Sequence, residues 1–141
     1  MNRLYVLCVL LFVSFATFSQ NHALIPIELT CEYLSNPSGI DIKEPRFGWK
    51  LETTDTDAYN QKQTAYRILV SSDKRWLKTK ISTDWDSGWI ESEKTQQVEY
   101  SGVELKSDAT YFWKVFIRDE KGIVTSSETA TFKTGILDDK L

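Results

Sequence analysis

Histidine is nearly absent from this sequence, with His22 standing alone among 141 residues, and cysteine is almost as scarce, with only Cys8 and Cys31. These two shortages remove whole classes of chemistry. A serine or cysteine nucleophile needs a positioned base, and His22 falls in what reads as a frayed N-terminus, so no triad can be assembled around it. Cys/His metal clusters are excluded by the same count. No Gly-rich loop precedes a helix to cradle a phosphate, and no acidic segment has the spacing of an EF-hand loop. Asn36-Pro37-Ser38 is not a glycosylation acceptor, because proline occupies its middle position. The sequence therefore calls for no cofactor and no metal. Nor is there an excess of basic charge: 17 Lys and Arg against 20 Asp and Glu give a net charge of −3. A mildly acidic chain has no electrostatic reason to seek nucleic acid or anionic lipid.

Long apolar runs are missing too, with one exception at the start. Met1-Asn2-Arg3 carries one positive charge, residues 4–18 are almost wholly apolar, and Thr17-Phe18-Ser19 offers small residues at the spacing a signal peptidase needs. The run is shorter than the roughly 20 residues of a membrane-spanning helix, and polar Gln20-Asn21-His22 follows at once. Residues 1–19 are thus expected to be a signal peptide and 20–23 the start of the mature chain. The product is expected in the periplasm, at the cell surface or outside the cell, with no membrane attachment after cleavage. Removing 19 residues, Arg3 and Cys8 among them, would leave 122 residues, 16 basic and 20 acidic side chains, a net charge of −4, and Cys31 without an intrachain partner. Export without a disulfide requires a fold held by its own core. Cys31 is expected to be buried as a small hydrophobe.

What the rest of the chain does have is alternation. Short runs of period two, separated by turn residues, mark antiparallel sheets with one buried face. Ile25, Ile27 and Leu29 alternate with Pro26 and Glu28, the proline suggesting an edge strand. After the turn Asn36-Pro37-Ser38-Gly39 come Phe47, Trp49 and Leu51. Residues 53–63 read as a polar loop. Tyr66, Ile68 and Val70 alternate with Arg67 and Leu69, and Val98 and Tyr100 belong to a further short strand. In the longest strand, 110–119, Tyr111, Trp113, Val115 and Ile117 share one face and Phe112, Lys114, Phe116 and Arg118 the other. Asp119-Glu120-Lys121-Gly122 is a hairpin turn, and Ala130, Phe132 and Thr134 lie in the closing strand. Only residues 73–81 break the rhythm: Trp76, Leu77 and Lys80 or Ile81 fit one face of a short helix capped by Ser72 or Asp73.

The pattern predicts an all-β, immunoglobulin-like β-sandwich of fibronectin type III character over residues 24–137, with about seven antiparallel strands and a short helical insert. Leu105, the turn Ser107-Asp108-Ala109 and Tyr111 have the spacing of a tyrosine corner. Trp49, Tyr111 and Trp113 are the expected structural core.

Two groups of residues remain as candidates for function. Asp84 and Asp86 flank Trp85, and Asp55 and Asp57 sit in the polar loop; paired carboxylates can hydrolyse glycosides. Ser87-Gly88 bends the first pair, and nothing apolar nearby would raise one pKa selectively, so all four are expected to be solvated turn carboxylates. The aromatics are the second lead. Trp76, Trp85 and Trp89 lie in or beside the insert, and exposed indoles make sugar-stacking platforms. The alternative expectation packs Trp85 beneath the helix with Trp76 closing over it. Trp89 is then the surface ring, at a carbohydrate or at a neighbouring domain.

Several strings together resemble one family. Residues 29–41, LTCEYLSNPSGID, followed by Pro45-Arg46-Phe47-Gly48-Trp49, are similar to the N-terminal domain of bacterial α-L-rhamnosidases. So are Gln63-Thr64-Ala65-Tyr66-Arg67-Ile68-Leu69-Val70-Ser71, Trp85-Asp86-Ser87-Gly88, Tyr111-Phe112-Trp113-Lys114-Val115 and Phe132-Lys133-Thr134-Gly135. Trp89 departs from the pattern, standing where a polar or basic residue is usual. The resemblance implies a module of a large, multidomain, inverting glycosidase that releases terminal L-rhamnose and keeps its acid and base in a downstream (α/α)6 barrel. No catalytic residue is carried over by it. Its partners would be the parent enzyme's downstream domains and rhamnose-containing glycans. Residues 138–141 would begin a linker, in a truncated product or a fragment; the further alternative is a generic fibronectin type III spacer or adhesion domain of an exported protein.

Overall fold

The computed structural model of the chain describes residues 23–54, 59–80 and 84–137. The predicted leader with Ser19 and His22, the loop carboxylates Asp55 and Asp57, Ile81 and the 138–141 segment lie outside the described residues. Ten strands and one helix follow in the order β1 (Leu24–Cys31), β2 (Ser38–Ile40), β3 (Arg46–Thr53), β4 (Gln63–Ser71), α1 (Lys74–Lys78), β5 (Trp85–Asp86), β6 (Ile90–Glu91), β7 (Val98–Glu99), β8 (Thr110–Asp119), β9 (Val124–Ser126) and β10 (Ala130–Thr134). They form two open sheets, one ordered β1-β3-β7 and the other β2-β10-β8-β4-β5, with β6 also on β4 and β9 also on β8. The architecture is the all-β, immunoglobulin-like sandwich that the alternation predicts. Five of the strands are pieces of two or three residues, and one pairing departs from the antiparallel expectation: β2 runs parallel to β10.

The two sheets meet through rings. Phe47 of β3 packs on Trp113 of β8 with centroids 4.4 Å apart and on Phe132 of β10 at 5.7 Å, and Phe132 stacks on Tyr111 at 5.2 Å. Trp49, Phe47, Trp113 and Phe132 are each no more than 1% exposed. Burying rings of this size supplies most of the apolar area that holds a domain of this length together. Tyr111 also closes a corner: its hydroxyl accepts the Lys106 backbone N–H at 2.9 Å, five residues upstream.

Sequence periodicity gives the wrong phase in β1. Leu24, Pro26 and Cys31 are the buried residues, while Ile25, Ile27 and Leu29 are only half-buried. The strand lies at a sheet edge, and its register against β3 shifts between Ile27 and Thr30, with Glu28 at φ 47. A bulge of this kind swaps which residues face inward and blunts the edge. In β4 the outward-facing Leu69 is also fully buried, because α1 lies over it. Leu77 of the helix packs with Leu69, Phe116 and the half-buried Phe112 to make a second, smaller core on the outer face.

The helix itself is one turn long. Asp73 caps it, its carboxylate accepting the Arg75 N–H at 2.9 Å, and Lys80 at φ 57 ends it. Trp76 does not share a face with Leu77. Adjacent helical residues lie about 100° apart, and Trp76 is left 45% exposed. Trp85 is not beneath the helix either. It belongs to the edge of the main core, 6.2 Å from Phe47 and 5.2 Å from Tyr100 between ring centroids.

Gln63, placed in the polar loop by sequence, is instead the first residue of β4 and only 1% exposed. Its side-chain oxygen accepts the Trp49 indole N–H at 2.9 Å, and its amide donates to the Ser92 and Lys94 carbonyls at 3.0 Å each. A buried amide is tolerated only when its donors and acceptors are met in this way.

Replacing Tyr111 with Phe leaves the Lys106 N–H without its acceptor and should lower the unfolding free energy by about 1–2 kcal/mol. Urea melts of the two proteins check this; an unchanged midpoint would mean that the corner carries no stability.

Candidate functional site

The outer face of the larger sheet carries the exposed indoles. Trp89 sits in the connection between β5 and β6, where Gly88 adopts φ 63 and donates its N–H to Asp86 Oδ1 at 2.9 Å. The ring is 39% exposed, and the Arg118 guanidinium of β8 lies 5.3 Å from its centroid. Arg118 is in turn ion-paired with Glu91. One side of the ring is therefore occupied by a cation held in place by a carboxylate. Trp76 borders a depression of about 320 Å³ with Arg75 and Thr79. Arg75 is not available there as a lone charge, because its guanidinium pairs with Asp73 at 2.6 Å.

The two rings are not brought together. Arg118 lies opposite Ala65, near the start of β4, whereas α1 follows the other end of that strand. Among the described residues no ring contact links Trp76 to Trp89. A two-ring stacking surface built on both is not what the geometry presents; each stands by itself.

The acidic pair is tied into the frame. Asp86 receives Arg67 Nε on Oδ1 at 2.9 Å and Arg67 Nη2 on Oδ2 at 2.6 Å. The guanidinium holds the Asp86 carboxyl below its ordinary value, with the Gly88 N–H assisting against partial burial. A general acid needs the opposite shift. Asp84 Oδ2 accepts the Ser72 N–H at 2.6 Å. Among the described residues no group of three or more His, Cys, Asp or Glu could hold a metal ion, and no helix is long and apolar enough to cross a membrane.

Sequence reasoning missed one further constellation. Glu32 and Tyr33 both have positive φ, 48 and 66, in a tight turn closed by Cys31 and Leu34. Non-glycine residues rarely adopt this conformation. Glu32 is anchored there by Arg46, which donates its backbone N–H at 2.7 Å and its guanidinium Nη2 at 2.8 Å, while Arg46 also lies 5.2 Å from the Tyr33 ring. The Arg46 bonds hold the Glu32 carboxyl below its ordinary value. No local pattern joins positions 32 and 46, so nothing in the sequence could have signalled the pair. Next to it, Cys31 is 1% exposed, and burial, then Glu32, push its thiol up to about 12. Such a thiol stays protonated and unreactive.

An immunoglobulin-like sandwich is thus defined whose inward rings join its sheets and whose outward Asp86 is salt-bridged to Arg67. The chain belongs to the family of Rha78A-like N-terminal immunoglobulin domains, whose model matches residues 26–138. It is 35% identical over 106 residues to an α-L-rhamnosidase of Formosa agariphila, covering 74% of this chain and 11% of that protein. To an α-L-rhamnosidase of Streptomyces avermitilis it is 32% identical over 107 residues, 75% of this chain and 10% of that protein. Among solved structures it superimposes on the α-L-rhamnosidase from Dictyoglumus thermophilum with a TM-score of 0.76 and 38% identity, over 82% of this chain and 13% of that one. The S. avermitilis enzyme complexed with L-rhamnose matches with a TM-score of 0.72 and 32% identity, over 80% of this chain and 11% of that one. This chain therefore spans about a tenth of the length of the curated relatives it matches.

Glu32 and Asp86 are two carboxylates through which acid should weaken the fold. Their carboxyls sit below ordinary values of 4.5 and 3.8 in the folded chain, so the stability they contribute is complete above the unfolded pKa values and is lost as pH falls through the folded ones. Thermal melts should show a falling midpoint below about pH 4. Glu32→Gln with Asp86→Asn should flatten that fall; an equally steep loss in the double variant would assign it to other groups.

Proposed function

We propose that this chain is a non-catalytic N-terminal module of an exported α-L-rhamnosidase, helping to position or stabilise the parent enzyme's other domains. The observation that carries the reading is the family match across residues 26–138 of a chain that covers only about a tenth of its rhamnosidase relatives. The family's acid and base would then lie in a downstream barrel, and hydrolysis of terminal L-rhamnose would belong to the whole parent enzyme. On this reading residues 1–19 are the export signal, 20–23 lead into the sandwich at 24–137, and 138–141 begin the connection onward. The structural engagement of both carboxylates supports it, Asp86 holding the Arg67 guanidinium and Asp84 the Ser72 N–H.

A second reading is carbohydrate binding at a single exposed indole. Trp76, 45% exposed beside a 320 Å³ depression, favours it, as does the outward side of Trp89. Stacking on one ring contributes about 1 kcal/mol or a little more, which predicts weak binding of rhamnose-containing oligosaccharides.

The purified chain should give no turnover of an aryl α-L-rhamnoside above the blank. Turnover that survives purification and disappears in Asp84→Asn or Asp86→Asn would overturn the module reading. Tryptophan fluorescence titrated with a rhamnose oligosaccharide tests the second one. A shift that Trp76→Ala and Trp89→Ala both leave unchanged would defeat it.

A further inference from the structure

We propose that the pole of the sandwich from which β10 leaves is the docking surface for the domain that follows in an α-L-rhamnosidase polypeptide, with Val103 and Ile136 as its apolar anchors. The inference rests on the module reading and gives it a location away from Trp89, whose Arg118 partner lies opposite Ala65 at the far end of β4. Three connections meet at this pole. Because β2 and β10 are parallel, the chain after each of them emerges on the same side. Lys133 near the end of β10 lies opposite Thr110 at the start of β8, which brings in the connection that enters β8. Residues 41–45, 101–109 and 135–137 are therefore neighbours. Backbone bonds tie them: Gly135 donates to the Ile40 carbonyl at 2.7 Å, Asp108 to the Gly135 carbonyl at 2.9 Å and Tyr100 to the Pro45 carbonyl at 2.9 Å.

On this fixed platform three large aliphatics point to solvent, Ile136 at 68%, Val103 at 62% and Ile42 at 39% exposure. Single exposed aliphatics are ordinary; what distinguishes these is how firmly their backbone is held. Val103 donates its N–H to the Asp84 carbonyl at 2.9 Å and accepts the Tyr100 hydroxyl on its own carbonyl at 2.6 Å. Gly102 beside it has no room for a side chain, since a Cβ there would lie 2.4 Å from Trp85 Cβ and 2.5 Å from the Asp84 carbonyl oxygen. Ile136 is flanked by Gly135 and by Leu137, which is 6% exposed and donates its N–H to Ser107 Oγ at 2.8 Å. A linker at a free end would not be pinned on both sides of an exposed isoleucine. Beside Val103 a depression of about 330 Å³ is lined by Lys43, Glu44, Tyr100, Ser101, Gly102 and Glu104. Apolar anchors within a charged rim are the anatomy of a domain contact.

The occupant follows from where the chain goes. The family's domain is N-terminal, and the relatives are about ten times as long as the part matched. A domain attached just beyond Leu137 begins within a few residues of Ile136, so its effective concentration at this pole is high and a small apolar contact suffices. The chain enters β1 at the opposite pole, where Leu24 pairs with Thr53 and its carbonyl accepts the Thr125 hydroxyl at 2.5 Å.

The test uses two contexts, this chain alone and a chimera in which it replaces the matched segment of the F. agariphila enzyme. Val103→Asp with Ile136→Asp, and the milder Val103→Ser with Ile136→Ser, should shift the melting midpoint of the chain alone by less than about 4 °C, as exposed changes do. In the chimera the module and the remainder should unfold together, and the same variants should split off a module transition or lower it by at least about 8 °C. Equal small shifts in both contexts would overturn the pole assignment, most clearly if Trp89→Ala uncouples the chimera instead. An unmutated chimera whose module melts where the chain alone does, or that fails to fold, would count against inter-domain packing itself.

Discussion

Contact between Phe47 and Trp113 is the constraint on which the rest of this structure depends. It is the shortest of the ring pairs, 4.4 Å between centroids, and it joins β3 of one sheet to β8 of the other. Around it Phe132 and Tyr111 complete the stack from β10 and β8, and Trp85 extends it toward the sandwich edge. The tight ring packing has a cost, since Trp113 Nε1 is buried without a hydrogen-bond partner among the described residues. An orphaned donor of this kind costs about 1–3 kcal/mol, less than the apolar area of a fully buried indole returns. Burial at this centre thus outweighs polar satisfaction.

Elsewhere polar satisfaction governs. Gln63 ties the Trp49 indole to the connection between β6 and β7 at Ser92 and Lys94, and Asp119 gathers the Lys121 and Ile123 N–H groups at 2.9 Å each to shape the turn between β8 and β9. Two carboxylates are drawn into the same service. Asp86 is fixed by Arg67 and Glu32 by Arg46, and an acid held ionised by a guanidinium supports a turn rather than a proton transfer. What is left unassigned by these demands is surface: the separate indoles of the outer face and the pinned aliphatics of the exit pole.

The alternation of β8 was readable because burial differs sharply between its two faces, and so were the closing strand and the corner at Tyr111. Failures of reading have specific causes. The phase of β1 depends on a bulge at Glu28, which relocates inward residues without leaving a mark in composition. Leu69 looked outward in the pattern and is outward, yet α1 covers it. Trp85 stands close in sequence to the helix but pairs with Val70 of β4, which carries it to the main core instead. Gln63 reads as loop because it closes a polar stretch, and only the neighbouring indole and two carbonyls make its burial tolerable.

By itself, then, the sequence determined the class of fold and the shortage of side chains for a histidine-based triad or a Cys/His metal cluster. Both follow from local or countable properties, the period of apolar residues and the near absence of histidine and cysteine. The fate of each outward-facing group was decided only in three dimensions. Whether an indole is exposed, a carboxylate is salt-bridged or an aliphatic stands at the pole where the chain departs depends on partners fourteen, nineteen or nearly a hundred residues away. Contacts across such separations are created by the pairing of strands, and no local period encodes them.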